Sequence, residues 1–243
     1  MNVKILLEYD GTAYCGWQRQ KNALSIQEVL EKAISSVTGE NVHVIGSGRT
    51  DSGVHALGQV ANFKTNTRIP IDKLPYAINS KLPDDIVVKD AEIVPEDFHA
   101  RFWAKSKIYS YTIYNSKFPS PIYRRYSYFC PHPLDVDAMK RAAQFLVGIH
   151  DFKAFMASGS PVKSTVRHVQ RLEIIKQGDI VKLEMEANGF LYNMARIIAG
   201  TLLDVGTGKR NADEMPSIIE SKDRFYAGKT LAAQGLCLVK VNY

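Results

Sequence analysis

The sequence predicts an α+β protein made of two halves, each with the βαββαβ element order of ferredoxin-like and RRM-type domains. Three observations predict it. Short apolar runs rich in Val, Ile, Tyr and Phe recur at strand length, and two amphipathic stretches start at capping residues and stop at glycine. Strand, helix and paired strands also follow the same order on either side of a junction near residue 104, so the expected division is 1–104 and 105–243. At 243 residues the chain can bury a full core as one large domain or as two small ones.

Val3 to Tyr9 reads as a strand, with Asp10-Gly11 as the turn after it. Ser25 and Glu28 form an S-x-x-E capping box. Val29, Leu30, Ala33, Ile34 and Val37 then share one helical face, and Gly39 stands just beyond the end. Strands are expected around Val42 to Ile45 and Gln59 to Lys64, a short helix within Ile71 to Lys81 despite Pro75, and a strand from Ile86 to Ile93. In the second half Lys107 to Tyr114 is strand-like. Asp135 precedes a helix whose Val136, Met139, Ala143, Leu146 and Val147 share a face, closed by Gly148. Val169 to Ile175 and Ile180 to Met185 read as a hairpin about Gly178, and Phe190 to Val205 as an apolar helix. A short helix around Ala212 to Glu220 and a strand from Cys237 to Val241 complete this half. No strong residue-level repeat accompanies the repeated order, so the duplication is architectural.

Composition narrows the class. Hydrophobic content of 45% and charged content of 23% are those of a folded globular chain. The opening MNVKILLEYDGT is unlike a signal peptide and no apolar run reaches membrane-spanning length, so a cytoplasmic protein with no membrane partner is expected. Cys15, Cys130 and Cys237 lie far apart, at neither metal-ligand nor redox spacing, and read as reduced thiols. The six histidines show no compact ligand spacing, so no metal is expected; His99 and His150 read as packed, hydrogen-bonded side chains. A net charge of +6 favours a polyanionic partner. In PIYRRYSYFC, Arg124 and Arg125 sit among Tyr123, Tyr126 and Tyr128, a mixture suited to stacking bases and meeting phosphates and equally that of a half-buried tyrosine-rich strand.

The run IGSGRTDSGVHALGQVANF, Ile45 to Phe63, is the chemical focus. It is no dinucleotide grip, because the third glycine of that fingerprint is replaced by Asp51. Gly228-Lys229-Thr230 is no P-loop, because the glycine required five positions earlier is Asp223. Neither half carries the glycine-aromatic strand of an RRM. An aspartate in GRTDSG is ordinarily a turn residue bonded to its own backbone. Here, however, Gly46, Gly48 and Gly53 can take positive φ and let another chain segment approach the backbone closely, and Arg49 and Asp51 lie between two expected strands. Such a loop can hold a carboxylate rigidly.

GRTDSGVHALGQVANF resembles the aspartate motif of the TruA family of tRNA pseudouridine synthases. EYDGTAYCGWQRQ, FHARFWAKSKIYSYTIYN, HDFKAF and NGFLYNMARIIAGTLLDVG agree in order, so the resemblance covers most of the chain. Two departures, Ser47 where alanine is common and LAAQGLCLV where a proline is common, leave the carboxylate untouched.

The resemblance implies a pseudouridine synthase fold, with a mixed, largely antiparallel sheet and a central basic cleft. It implies an isomerase acting on uridines at tRNA positions 38, 39 and 40, working as a homodimer without a cofactor. The N1–C1′ bond of uridine breaks, the uracil turns while bound, and C5 joins C1′. Positive charge builds on the sugar, which suits a carboxylate beside C1′, and by resemblance that carboxylate is Asp51. Arg196 would hold it ionised; its other reading, a surface arginine, is weakened by a helix that is apolar nearly all round. Tyr109 matches the tyrosine expected to stack on the target base, although strand alternation does not separate it from Tyr111. Arg49 is expected to fill the space left by the flipped uridine. The rival reading is a non-catalytic tRNA-binding or tRNA-folding protein of the same fold, for which Asp51, Tyr109 and Arg196 would have no use.

Overall fold

The computed structural model describes residues 1–159 and 162–243. In chain order the first elements are β1 (Asn2–Tyr9), α1 (Ile26–Thr38), β2 (Ile45–Gly46), β3 (His55–Lys64), α2 (Leu74–Asn79) and β4 (Ile86–Val94). They are followed by β5 (Ser106–Asn115), β6 (Tyr128–Cys130), α3 (Val136–Gln144), β7 (Gly148–Asp151), β8 (Val166–Gln177) and β9 (Ile180–Ala187). The chain finishes with α4 (Met194–Gly206), α5 (Met215–Ser221) and β10 (Leu236–Asn242). The expected α+β class is borne out. No helix among the described residues is long and apolar enough to cross a membrane.

The chain divides into two compact units, Met1–Lys105 with Cys237–Tyr243, and Ser106–Leu236. In the first, strands lie in the order β4-β1-β3-β10. β1 is antiparallel to both β3 and β4, and β10 joins β3 in parallel at Cys237 opposite His55. Val3, Ile5 and Leu7 alternate into the core and are fully buried, each contributing about 1.5–3 kcal/mol of apolar burial. Helix α1 starts where expected: Ser25 accepts the Glu28 amide, and Gly39 closes it at φ 73°. The expected capping box is only half formed, because the Glu28 carboxylate turns to Lys32, 2.6 Å away, rather than back to the N-cap amide. Pro75 is tolerated because it falls in the first turn of α2, where its missing N–H costs nothing.

Two expectations are corrected here. The strand from Val42 to Ile45 shrinks to Ile45–Gly46, because α1 takes the preceding backbone. The Val44 N–H donates to Glu31 Oε1 at 3.1 Å, and the Val44 carbonyl accepts from Gln27 Nε2 at 3.0 Å. In contrast, the strand read from Gln59 begins at His55, where β10 supplies a partner from the far end of the sequence.

In the second unit β5-β9-β8-β7 run antiparallel, with β6 parallel to β5. The hairpin turns at Gly178, φ 57°. Helix α3 packs on α4 and β8, and α4 on β5. Two edge strands carry no alternation: β6 lies at the end of PIYRRYSYFC, where a half-buried tyrosine-rich strand was one of the two readings, and β7 was not expected. The helix read from Phe190 starts only at Met194, because Asn193 sits at φ 60° and breaks the helical path.

Candidate active site

Asp51 stands on the loop between β2 and β3, and several residues around it are fastened separately. The Ser47 N–H donates to the Val60 carbonyl at 2.7 Å. The Ser47 hydroxyl donates to Gln59 Oε1 at 2.6 Å, and Gln59 Nε2 returns to the Gly48 carbonyl at 3.2 Å. Gln59 is fully buried, so these are bonds that water cannot replace. Thr50 Oγ1 shares a 2.8 Å hydrogen bond with the Tyr9 hydroxyl. Burial pushes that phenol far above its ordinary pKa, so Tyr9 acts as a neutral partner. The Val54 N–H closes the turn on the Asp51 carbonyl at 3.1 Å. Asp51 itself is half-buried and Arg49 is exposed.

A second segment, Tyr14 to Trp17, crosses this loop. The Trp17 N–H donates to the Thr50 carbonyl at 3.0 Å, and the Gly53 N–H donates to the Tyr14 carbonyl at 3.3 Å. Gly16 lies at φ 100° against the Asp51 backbone. A Cβ there would meet the Thr50 carbonyl oxygen at 2.5 Å and the Asp51 carbonyl carbon at 3.0 Å. The strap is in turn tied to α1, whose first amides, Ile26 and Gln27, donate to the Gly16 and Trp17 carbonyls at 3.1 and 3.0 Å. These amides have no partner within the helix, so the strap satisfies them while gaining an anchor. Of the loop glycines, Gly53 alone takes positive φ, 77°. Gly46 instead makes room for the Trp17 ring, which a Cβ would strike at 2.5 Å. The strap holds the loop through backbone atoms, so neither Tyr14 nor Cys15, its titratable side chains, marks it in the sequence as a support of Asp51.

Arg49 and Asp51 thus share one loop of the first unit, and Tyr109 and Arg196 belong to the second. Tyr109, on β5, is buried edge-on to Phe190 with ring centroids 4.9 Å apart. Tyr111, two residues along on the same face, is fully enclosed and donates its hydroxyl to the Ala232 carbonyl at 2.7 Å. Gly235 is pressed on its ring. Tyr111 is therefore committed to the core, which separates the two tyrosines that alternation left equivalent. Arg196 is half-buried on α4, with Nε donating to the Leu231 carbonyl and Nη1 to Asn193 Oδ1, both at 2.7 Å. The segment after Ala227 lies directly on α4: a Cβ on Gly200 would sit 1.9 Å from the Lys229 carbonyl oxygen, and the Gly228 N–H donates to Thr201 Oγ1 at 2.8 Å. His150 and His99 are hydrogen-bonded beside Phe152 and Phe102, as packed histidines are.

A preorganised carboxylate suits chemistry that develops positive charge on its substrate. Comparison with known proteins agrees. Residues 5–103 and 142–243 match the family profile described as tRNA pseudouridine synthase. The chain is 59% identical over 242 residues to tRNA pseudouridine synthase A of Thermoanaerobacter sp. (strain X514), with 100% of this chain and 99% of that one covered. Identity is 55% to the protein of that name from Acetivibrio thermocellus and 51% to that from Clostridium acetobutylicum, at the same coverage. With identity this high along its whole length, the chain belongs to the TruA family of tRNA pseudouridine synthases.

Proposed function

We propose that this protein isomerises uridine to pseudouridine in tRNA, at positions 38, 39 and 40 of the anticodon stem-loop, with Asp51 as the catalytic carboxylate. What supports the assignment most directly is the Asp51 loop, in which a half-buried carboxylate rides on a backbone pinned from three sides. Cleavage of the N1–C1′ bond builds oxocarbenium-like charge on the ribose, and a fixed carboxylate stabilises that charge without reorganising. Bonds are only redistributed within one nucleotide, so the reaction consumes no oxidant, reductant or phosphoryl donor and needs no cofactor. The uridine must leave its stem to expose C1′ and the base edge, at a cost of a few kcal/mol. Arg49 fills the vacated space, Tyr109 stacks on the extruded base, and Arg196 completes the binding of the target nucleotide. The region 1–104 supplies the aspartate loop, and the region 105–243 the tyrosine and second arginine. The protein works in the cytoplasm as a homodimer.

The non-catalytic alternative is not favoured, because the relatives matched along their full length are named as synthases. Tritium release from tRNA carrying 5-tritiated uridine tests the assignment, because C5 loses its hydrogen only when it bonds to C1′. Wild type is expected to release tritium, and Asp51→Asn to do so at least about 100-fold more slowly while still binding tRNA. No release by wild type across a whole tRNA pool, with binding intact, would remove the synthase assignment in favour of a binding protein.

A further inference from the structure

The segment Lys117–Tyr126, between β5 and β6, has no part in the chemistry above, and it falls between the two stretches that the family profile matches. It is exposed nearly throughout, including its large apolar side chains: Phe118 is 68% exposed, Ile122 77%, Tyr123 45% and Tyr126 51%. From Asn115 to Leu134 the sequence holds Lys117, Arg124 and Arg125 and no Asp or Glu. The segment is nonetheless built. Ser120 Oγ accepts the amides of Ile122 and Tyr123 at 3.2 and 3.3 Å. The buried Ser127 hydroxyl and the Tyr126 amide both donate to the Tyr123 carbonyl, at 2.8 and 3.0 Å. The Tyr123 ring is stacked on Tyr114 of β5, with centroids 5.3 Å apart and planes 26° apart. At the base of the segment Lys229 donates to the Tyr128 hydroxyl at 2.7 Å, a bond that raises the pKa of the ammonium and keeps it charged.

We propose that Lys117–Tyr126 is an RNA-binding surface separate from the target-uridine site, in which an unpaired base extends the Tyr114–Tyr123 stack while Arg124 and Arg125 meet neighbouring phosphates. The proposal rests on tRNA being the substrate. Aromatic faces accept any base, and cations beside them neutralise the backbone, which is the usual composition of a single-strand platform. Preorganisation of the stack lowers the ordering cost of binding. A second copy of the chain is the other occupant to consider. A two-fold interface centred here would set Arg124 and Arg125 against themselves with no carboxylate in the segment to offset them, whereas RNA brings the opposite charge.

The test is equilibrium binding of unmodified tRNA over a salt series, with Arg124→Ala/Arg125→Ala, Tyr123→Ala and Tyr123→Phe compared with wild type. Melting temperatures and sedimentation equilibrium are run on each. The double variant is expected to bind about tenfold more weakly, with the slope of log affinity against log salt reduced by about 1–2. Tyr123→Ala should also weaken binding about tenfold while Tyr123→Phe, which keeps the ring, should not. Tritium release at saturating tRNA should be unchanged in all three, so that the effect lies in KM. Wild-type affinity and slope in the folded double variant would overturn the proposal, and a shift to a smaller sedimenting species would overturn it in favour of a second copy. Binding is read independently of turnover. A wild type that releases no tritium would therefore remove the synthase assignment, while loss of binding in these variants would still support the surface.

Discussion

Gly16 shows how a residue with no side chain can govern the placement of the carboxylate proposed to act. Its φ of 100° disfavours any L-residue, and a methyl there would enter the space of the Thr50 carbonyl beside Asp51. Gly16→Ala should therefore displace the carboxylate by a fraction of an ångström or more, and a misplacement of that order costs roughly 100-fold in rate. The check is single-turnover tritium release alongside tRNA affinity, with kcat falling and affinity holding. A milder probe of the same anchor is Tyr9→Phe, which leaves Thr50 Oγ1 without its 2.8 Å partner. It should lower stability by about 1 kcal/mol in urea unfolding and slow release less than Gly16→Ala does. The carboxylate was legible in the sequence because glycines and an arginine framed it. Its supports were not, because a glycine or a buried hydroxyl does not say which distant backbone or side chain it meets.

At the level of elements, α1 was read correctly at both ends because its signals are local: Ser25 caps, Gly39 stops, and the apolar face repeats at helical spacing. Ser25→Ala should cost about 1 kcal/mol of stability, and through the strap it should also reduce activity more than a cap loss elsewhere, for example at Asp135 of α3. Comparing the two variants by melting temperature and tritium release checks the link. Thr201 holds α4 to the Gly228 segment, its hydroxyl accepting the Gly228 amide and donating to the Ile197 carbonyl. Thr201→Val strands a buried N–H and should cost about 1–3 kcal/mol, measured by urea unfolding. Asp151 shows the pH side. Its hydrogen bond with Thr165, helped by Lys222, holds its carboxyl below the ordinary range. Its contribution is present above the unfolded-state pKa and is lost as pH falls through the lowered folded-state value. Asp151→Asn should flatten the acid side of a melting-temperature profile and leave neutral-pH tritium release unchanged. The elements that residue pattern left open or missed are those whose partners decide them. β6 and β7 are three- and four-residue edges without alternation, and β2 is short because α1 side chains claim the Val44 backbone.

For the whole molecule, a net charge of +6 sets the expectation that affinity for tRNA falls steeply with salt. Between 50 and 200 mM salt it should drop about 10³-fold if about six phosphates are neutralised, measured by filter binding across the series. The α+β class, the course of α1, the Asp135-capped start of α3 (which ends at Gln144, short of the expected Gly148, where β7 begins), the β8–β9 hairpin, and the identity of the Asp51 loop followed from residue order alone. Each of them is written in neighbours a few positions apart: caps, turns, period, or a contiguous motif. The parallel seat of β10 beside β3, the strap of Tyr14 to Trp17 across Thr50 and Asp51, the fastening of Arg196 to Leu231, and the separation of Tyr109 from Tyr111 came only with the folded chain. These depend on contacts between distant segments, where close packing and backbone hydrogen bonds, which carry no residue signature, choose among arrangements that the local pattern leaves equal.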